Sequence, residues 1–446
     1  MYAVPDLKIL LVSHWYAPAL HPRAFRWSAI AAQWAVQGNR VDAVCSWAPG
    51  LAREEVIGGV RIFRVGGGIL GRLKDRLNRP PAFQAGKGAG DVGPPGGGFV
   101  LSSLAAYLSE TVWKKVRWPD YACTWYFPAV REARRLAVGG GYDAIVSVSD
   151  PFTGHLVGMR LKEDLSELTW LADVGDPFSF QDAIPVNNVG LYGRRNVAVE
   201  REVFSRADAV TVTNPAVMAE YAARFPESAG KILVIPPLLS LPTLPPAAAL
   251  LFPPDGRLRL VCIGTLYHHV RNPAFLLRLF ARMLSLPLSD RLELHFFGDV
   301  SDCRNCFAGL ESEVAGKISL HGMVDRETVA RAMGEAAALV HIGNVTRYQL
   351  PSKVVEYAAA GRPVINIVRA EGDSSMAFFK EHPVVRHVVE GEESLGSETV
   401  AELARFIEDR PPISPDVLAR WLEPFQAEAV AAEYARLLFG KVGSRP

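Results

Sequence analysis

The sequence of 446 residues lacks several features that would place it in a specialised class of protein. Its five cysteines (Cys45, Cys123, Cys262, Cys303 and Cys306) are few and scattered, which argues against a disulfide framework and favours a reducing compartment. It has no excess of one charge, with 48 Lys and Arg against 47 Asp and Glu, so we expect no nucleic-acid partner. It has neither a long apolar run nor the pattern of a signal peptide. These absences predict a cytoplasmic protein that does not span a membrane.

Short apolar runs alternate with amphipathic stretches along most of the chain. In the first half the apolar runs are KILLVS (8–13), RVDAVCS (40–46), VRIFRV (60–65), DAIVSVS (143–149), TWLADV (169–174) and DAVTVTN (208–214). In the second half they are LRLVCIG (258–264), LELHFFG (292–298), KISLHG (317–322), ALVHIG (338–343) and PVINIV (363–368). Such alternation is typical of βαβ units. The sequence therefore predicts an α/β fold with two Rossmann-like, doubly wound domains facing a cleft.

A proline-rich segment separates the two halves. Residues 236–256 contain seven prolines and cannot continue a helix or a strand, so we interpret them as a linker. The predicted domains are then residues 1–235 and 257–414. Residues 415–446 predict a long terminal helix, which we expect to pack back on the amino-terminal domain.

Residues 66–120 interrupt the strand and helix pattern of the amino-terminal domain. The stretch AGKGAGDVGPPGGG (85–98) is too rich in glycine and proline to pack. Basic and tryptophan residues flank it, among them Lys115, Arg117 and Trp118. Apolar, cationic and tryptophan side chains together suit an interfacial helix at an anionic membrane surface. The alternative is a solvated, charged face over core aromatics.

Residues 341–368 hold the most informative candidate site. They predict a helix over 352–360, whose first turn contains Ser352 and Lys353. Free N–H groups and the helix dipole attract anions at a helix amino terminus, so we expect a diphosphate there. Glu356 lies on the same helix face as Lys353 and is placed to accept hydrogen bonds from ribose hydroxyls. The alternative is an ordinary surface pair of a lysine and a glutamate.

A second cluster begins the carboxyl-terminal half. Gly264 ends the first strand, Thr265 follows it, and the loop carries Arg271 before the next helix. In a doubly wound sheet this loop opens on the ligand crevice, so Arg271 is placed to meet phosphate oxygens. His268 and His269 are adjacent, but without a carboxylate or cysteine motif they do not predict a metal site.

Polar residues also follow three predicted strands of the amino-terminal half. They are His14, Arg23 and Arg26 after the first strand, Asp150 after 143–149, and Asp173 and Asp176 around the end of 169–174. Because the carboxyl ends of parallel strands meet at one edge, we expect these residues to open on the same crevice. Asp150 is the candidate proton acceptor or sugar ligand, with helix capping near Thr153 as its alternative. A turn and a cap are the alternatives for Asp173 and Asp176.

These segments and their order resemble glycosyltransferase family 4, the retaining, sugar-nucleotide-dependent enzymes of the GT-B fold. The resemblance covers nearly the whole chain and rests on PALHPRAFRW, WLADVGDPF, EREVFSRADAVTVTNPAV, KILVIPP, IGTLYHHVRNP, HGMVDRE and QLPSKVVEYAAAGRPVI. It implies that Glu356 binds the donor ribose and that Arg271 and Lys353 neutralise the donor diphosphate. It also implies front-face attack with retention, and no metal ion or other cofactor. Arg271, Lys353 and Asp150 are thus the candidate catalytic residues.

Two positions of the candidate donor site depart from the family pattern. Many members carry two glutamates eight residues apart, and Tyr348 occupies the earlier position here. Many also carry an arginine directly after the glycine that ends the first strand, where this chain has Thr265. Both departures affect which donor sugar the site accepts. They do not remove the expected phosphate-binding site.

The family pattern predicts a glycosyltransferase of polysaccharide or glycolipid assembly, with a sugar or lipid-linked saccharide as acceptor. With this resemblance, the residues expected to bind the acceptor in the amino-terminal domain are His14, Arg23, Arg26, Asp173 and Asp176. The basic and aromatic insertion favours a peripheral location on the inner face of the plasma membrane. The two departures motivate one alternative, a non-catalytic scaffold that binds nucleotide sugars or assembles polysaccharide. A further alternative is a GT-B sugar-nucleotide epimerase, which needs acid and base residues beside the sugar that the sequence does not reveal.

Overall fold

The computed structural model describes residues 7–67, 113–181, 185–240, 250–346, 348–351, 353–369 and 372–442. Ser352 and most of the predicted insertion, including 85–98, lie outside these residues. The chain divides into two compact units. The amino-terminal unit comprises Met1–Val212, Tyr221–Leu233 and Ala431–Pro446, and the carboxyl-terminal unit comprises Thr213–Glu220 and Val234–Val430. This division differs from the predicted boundary because residues 213–220 fall in the carboxyl-terminal unit. Residues 431–446 fall in the amino-terminal unit, in keeping with the expectation for the terminal segment.

An eight-stranded sheet forms the centre of the amino-terminal unit. Its strands are β1 (Lys8–Val12), β2 (Arg40–Ser46), β3 (Glu54–Ile57), β4 (Val60–Val65), β5 (Ala144–Val148), β6 (Thr169–Asp173), β7 (Ala209–Val212) and β8 (Ile232–Val234). Their spatial order is β3-β4-β2-β1-β5-β6-β7-β8. β3 is antiparallel to β4, and the pairs from β4 to β7 are parallel. The strand order reverses direction between β1 and β5, where α/β proteins usually bind ligands.

A six-stranded parallel sheet forms the centre of the carboxyl-terminal unit. Its strands are β9 (Leu258–Ile263), β10 (Leu292–Phe297), β11 (Ile318–Gly322), β12 (Ala338–Ile342), β13 (Val364–Val368) and β14 (Val385–Val389). Their order is β11-β10-β9-β12-β13-β14, so the switch point lies between β9 and β12. Both units are thus Rossmann-like, and the predicted fold class is confirmed.

Burial at every position explains why the central strands β9, β12 and β13 are mostly apolar. Along β9, Leu258, Leu260 and Cys262 belong to one buried cluster, whereas Val261 and Ile263 belong to another. Successive strand side chains point to opposite faces, so helices cover both sides of the sheet.

Helices connect the strands in both units. Those up to residue 224 are α1 (Pro22–Val36), α2 (Lys114–Val116), α3 (Tyr126–Gly140), α4 (Thr153–Asp164), α5 (Val189–Arg206) and α6 (Pro215–Arg224). Those that follow are α7 (Ala274–Met283), α8 (Arg304–Ala308), α9 (Ser312–Ala315), α10 (Arg326–Glu335), α11 (Val354–Ala359), α12 (Ser374–Phe378), α13 (Ser397–Asp409), α14 (Pro415–Leu422) and α15 (Ala427–Val442). Short 3₁₀ turns span Cys123–Trp125, Pro226–Lys231, Pro287–Arg291, Ser301–Cys303, Glu393–Leu395 and Glu423–Phe425. Within the part of the chain that the structure describes, no helix is long and apolar enough to cross a membrane.

Two helix predictions were wrong in detail. The terminal helix is not continuous from residue 415, because a 3₁₀ turn over Glu423–Phe425 separates α14 from α15. Proline lacks the N–H that an inner helical position requires, and Pro424 lies at this break. The helix predicted over 352–360 begins only at Val354, so Lys353 precedes it instead of lying in its first turn.

Candidate functional site

Two glycines bring the ends of β9 and β10 into direct backbone contact. Gly264 and Gly298 follow these strands with φ angles of +123° and +142°, where residues with a Cβ are strained. A Cβ on Gly298 would lie 2.3 Å from the carbonyl oxygen of Gly264. Glycine is therefore required at residue 298, and the loop that starts at Gly264 is held against the end of β10.

Arg271 lies in the loop between β9 and α7. Tyr267 and Arg271 pair through their backbones, which folds the loop back and directs the guanidinium to the end of β12. There Nη2 donates to Oδ1 of Asn344 at 3.0 Å, and Nη1 donates to the carbonyl oxygen of Thr265 at 3.4 Å. Arg271 thus joins the loops that follow the two strands of the switch point.

Among the residues that the structure describes, no anion neutralises the charge of Arg271. Burial lowers the pKa of its guanidinium. Across the described ranges no carboxylate oxygen lies within 4.0 Å of it, and its Nε has no hydrogen-bond partner. Even partial burial makes a cation without a nearby anion costly, so this position favours an anionic ligand.

Lys353 and Glu356 form an ion pair one helical turn apart, with Nζ and Oε2 separated by 2.5 Å. Glu356 is buried rather than on the surface, and Ser240 Oγ donates to its Oε1 at 2.9 Å. Both carboxylate oxygens of Glu356 are therefore engaged in this structure. A ribose hydroxyl that binds Glu356 must share or replace these two contacts.

The loop that carries Tyr348 is fixed by backbone and amide contacts. Tyr348 is buried, and its carbonyl oxygen accepts a hydrogen bond from Nδ2 of Asn214 at 3.1 Å. Asn344 Nδ2 donates to the carbonyl oxygen of Gln349 at 3.3 Å. Asn344 was missed by the sequence analysis, although it contacts both Arg271 and this loop. The sequence contains no local signal for it.

Hydrogen-bonded polar side chains lie in a row across the neighbouring strands β12, β13 and β14, and we call this row the polar ladder. His341, Asn366 and His387 lie side by side in register, and His341 Nδ1 donates to Asn366 Oδ1 at 2.7 Å. Burial lowers the pKa of His341 to about 3, so the ring is neutral at pH 7. The ladder also reaches Ser375 at the start of α12, through a 3.0 Å hydrogen bond from Asn366 Nδ2. It holds α12 against the sheet.

In the amino-terminal unit, Asp173 lies at the centre of a buried network. Its Oδ1 accepts hydrogen bonds from Thr211 Oγ1 at 2.8 Å and Tyr434 Oη at 2.5 Å. Its Oδ2 accepts from Trp27 Nε1 at 2.9 Å and Arg23 Nη1 at 3.3 Å. Burial alone would raise the pKa of Asp173, but nearby cations and these donors hold it below its ordinary value. The network fixes α15 to the sheet.

This network changes the interpretation of two predicted acceptor-binding residues. Arg26 is buried and donates to Tyr434 Oη at 3.0 Å, and Asp173 has four donors around it. Both side chains are thus used inside the unit, which favours a structural role. Arg23 is partly exposed, and its guanidinium occupies space that a side chain at Gly175 would fill. It remains a candidate for ligand contact.

Asp150 follows β5 and does not cap α4. That role belongs to Asp120, which accepts hydrogen bonds from Thr153 N and Oγ1, both at 2.8 Å. The alternative considered for Asp150 was therefore wrong. Burial raises the pKa of the Asp150 carboxyl to about 7, with smaller contributions from Asp120 and Asp176, and Arg23 opposes them. A partly exposed carboxyl of this kind is suited to accept or donate a proton near neutral pH.

Aromatic rings surround His14 after β1. His14 packs edge-on against Trp15 and Trp125, with ring centroids 5.0 Å apart in both pairs. Trp15 stacks on His21 at 4.8 Å, and its Nε1 donates to Tyr121 Oη at 2.7 Å. Asp176 is exposed. The described residues contain no group of three or more His, Cys, Asp or Glu side chains placed to hold a metal ion.

Comparison with known families gives one match. The model of the glycosyl transferases group 1 matches residues 257–375, which include Arg271, Lys353 and Glu356. No curated protein matches the sequence.

Solved structures of GT-B glycosyltransferases resemble the whole chain. A UDP-forming α,α-trehalose-phosphate synthase from Burkholderia xenovorans, in complex with glucose-6-phosphate, is 12% identical with a TM-score of 0.58, covering 97% of this chain and 100% of that one. HepE of Anabaena, in complex with UDP-glucose, is 12% identical with a TM-score of 0.54, covering 98% and 100%. The lipopolysaccharide outer core galactosyltransferase WaaB is 13% identical with a TM-score of 0.53, also covering 98% and 100%. At these identities the similarity shows the shared fold.

Proposed function

We propose that the chain is a retaining glycosyltransferase of family 4 that moves a hexosyl group from a nucleotide sugar to an acceptor hydroxyl. The observation that carries the proposal is the environment of Arg271. Its guanidinium is partly buried at the switch point of the sheet, has no carboxylate partner among the described residues, and lies within the segment that matches the glycosyl transferases group 1. A nucleoside diphosphate supplies the anion that this position lacks.

The proposed chemistry follows from the charge that develops during glycosyl transfer. Negative charge accumulates on the leaving diphosphate while the sugar becomes oxocarbenium-like, so the catalyst must stabilise an anion. Arg271 and Lys353 carry out this role, and Glu356 binds the donor ribose. Each charge-assisted contact contributes roughly 2 to 4 kcal/mol to the transition state, which corresponds to about 10² in rate or more. No metal ion or other cofactor takes part in this proposal.

The acceptor binds at the carboxyl edge of the amino-terminal sheet in this proposal. Asp150 and Arg23 are the residues there whose side chains combine partial exposure with charge. Asp150 orients the attacking hydroxyl, and the leaving phosphate accepts its proton in front-face attack. The acceptor is a sugar or a lipid-linked saccharide, in polysaccharide or glycolipid assembly at the inner face of the plasma membrane.

A thermal-shift screen against UDP, GDP, ADP, CMP, dTDP and their sugar conjugates, with and without EDTA, tests the donor site. A ligand at 100 times its dissociation constant adds about 2.7 kcal/mol of stability. We expect one base to stabilise the wild type regardless of EDTA, and Arg271→Gln and Lys353→Met to lose the shift. Arg278→Gln is the control, because Arg278 is exposed and paired with Glu392.

The other outcomes separate the alternatives. A nucleotide sugar that binds but releases no nucleoside diphosphate in the presence of acceptors favours the scaffold. Interconversion of the bound sugar without an acceptor favours the epimerase. If Arg271→Gln and Lys353→Met bind nucleotide as tightly as the wild type, the proposed donor site is wrong.

A further inference from the structure

One surface of the amino-terminal unit combines exposed apolar side chains with cations that have no carboxylate partner among the described residues. We call it the Trp118 surface and define it as Lys115–Trp118, Phe127 and Val189–Arg195. Hydrogen bonds join its parts: Tyr192 Oη donates to the carbonyl oxygen of Val116 at 2.7 Å. Trp118 Nε1 donates to Asn196 Oδ1 at 3.0 Å. The segment before Trp118 is therefore fixed against the first turns of α5.

Several apolar side chains of the Trp118 surface are exposed to solvent instead of packing in the core. Phe127 is 76% exposed and Leu191 60%, and Val116 and Val189 are each 48% exposed. Beside them a pocket of about 370 Å³ opens between α3, α4 and α5, and Trp118, Phe127, Leu156 and Met159 are among its lining residues. Clustered exposed apolar side chains around a pocket indicate a binding surface.

The charged part of the Trp118 surface is wholly basic. In the described part of the chain, no carboxylate lies within 4.0 Å of the cationic groups of its four basic residues, Lys115, Arg117, Arg194 and Arg195. The guanidinium of Arg195 lies instead 3.6 Å from the ring centroid of Trp118. The net charge of the protein is only +1, so this group of cations is a local feature.

Arginines of α4 and of the last turn of α5 differ from these four basic residues. Arg160 pairs with Glu163 and Asp164, and Arg206 pairs with Glu202. The basic residues of the Trp118 surface are thus not the usual ion-paired face of a surface helix. Cations without an anion among the described residues, placed among exposed apolar side chains, match a surface of anionic headgroups above hydrocarbon.

We propose that the Trp118 surface is where this protein binds an anionic lipid bilayer, with Phe127, Leu191 and Val116 entering the interface and the four cations contacting headgroups. This inference deepens the peripheral location proposed above and rests on it. It does not depend on the identity of the donor nucleotide. Each basic residue near an anionic membrane contributes about a fivefold gain in partitioning.

Flotation of the full chain with vesicles tests the surface. We expect the wild type to float with phosphatidylcholine vesicles containing 30% phosphatidylglycerol, and not with pure phosphatidylcholine. The double variant Arg194→Glu/Arg195→Glu should lose about 25-fold or more in partitioning, and Leu191→Ser should lose binding at high salt, where the electrostatic attraction is screened. Matched controls are Arg282→Glu, an exposed arginine of the other unit, and Val138→Ser, whose side chain is 68% exposed. Both controls should float as the wild type does.

Three results would overturn the inference. A wild type that does not float removes the membrane location, while the nucleotide thermal shift still tests the transferase proposal separately. If the surface variants float like the wild type, the protein binds membranes, but not through the Trp118 surface. A wild type that sediments as a dimer, with Leu191→Ser monomeric and flotation unchanged, assigns the surface to a second copy of the chain. Retained thermal-shift responses to nucleotide would show that the variants are folded.

Discussion

Tyr434 donates a 2.5 Å hydrogen bond to Oδ1 of Asp173, and the two residues are 261 positions apart in the sequence. Both are fully buried, and Tyr434 also accepts a hydrogen bond from Arg26. This contact joins α15 to the carboxyl end of β6, beside Arg23. The stability of the amino-terminal unit therefore depends on residues from both ends of the chain.

Tyr434→Phe should lower the free energy of unfolding by about 1 to 3 kcal/mol, because it removes one donor from a buried carboxylate and one acceptor from a buried guanidinium. Urea unfolding followed by tryptophan fluorescence measures this change. Tyr267→Phe is the control, since Tyr267 is 40% exposed, and it should stay within about 0.5 kcal/mol of the wild type. A Tyr434→Phe protein as stable as the wild type would contradict the role of the network.

Asp150 should make stability depend on pH. Its pKa is about 7 in the folded protein, whereas an exposed aspartate titrates near 4. The folded state thus keeps a proton that the unfolded state releases, so the free energy of unfolding should fall as pH rises from about 4 to 7 and then level off. Asp150→Asn removes this contribution. Urea titrations measure the free energy of unfolding of both proteins at pH 5 and pH 8. The difference, variant minus wild type, should be larger at pH 8 than at pH 5. An equal difference at both pH values would count against this assignment.

The strands were predictable from the sequence because parallel strands are buried on both faces. Their apolar runs, such as β9, stand out against amphipathic helices without any knowledge of tertiary contacts. The missed strands β3, β8 and β14 are short or partly exposed, so their sequences carry a weaker pattern. The fold class followed from the repeated alternation and did not need these strands.

The site was only partly predictable, because local spacing does not report long-range partners. The contact between Lys353 and Glu356 follows from helical spacing. The cap of α4 does not, since Asp120 lies 33 residues before Thr153 whereas Asp150 is three residues away. Asn344 likewise becomes important only once Arg271 is seen to donate to it.

The contact between Gly264 and Gly298 gives a test of the loop that positions Arg271. A methyl group at residue 298 would lie 2.3 Å from the carbonyl oxygen of Gly264, and the φ angle of +142° disfavours alanine. Gly298→Ala should lower stability by more than about 1 kcal/mol and weaken nucleotide binding. Thermal unfolding with and without nucleotide measures both effects. Gly309→Ala is the matched control, because nothing lies within 4 Å of its added Cβ. Equal behaviour of the two variants would contradict the steric argument.

The hydrogen bond between Arg271 and Asn344 allows the anion-binding role of Arg271 to be tested without removing the arginine. Asn344→Asp places a carboxylate 3.0 Å from Nη2, where it forms a charge-assisted hydrogen bond that is stronger than the one to the amide. The gain at Nη2 is offset by the loss of the Nδ2 donor to the carbonyl oxygen of Gln349, so the free protein should stay within about 1 kcal/mol of the wild type. Its dissociation constant for the nucleoside diphosphate identified in the screen should rise tenfold or more, because the new carboxylate neutralises Arg271 and repels the ligand. Isothermal titration calorimetry measures this constant, with Asn188→Asp in the other unit as the control for net charge. Unchanged affinity in Asn344→Asp would mean that another cation holds the diphosphate.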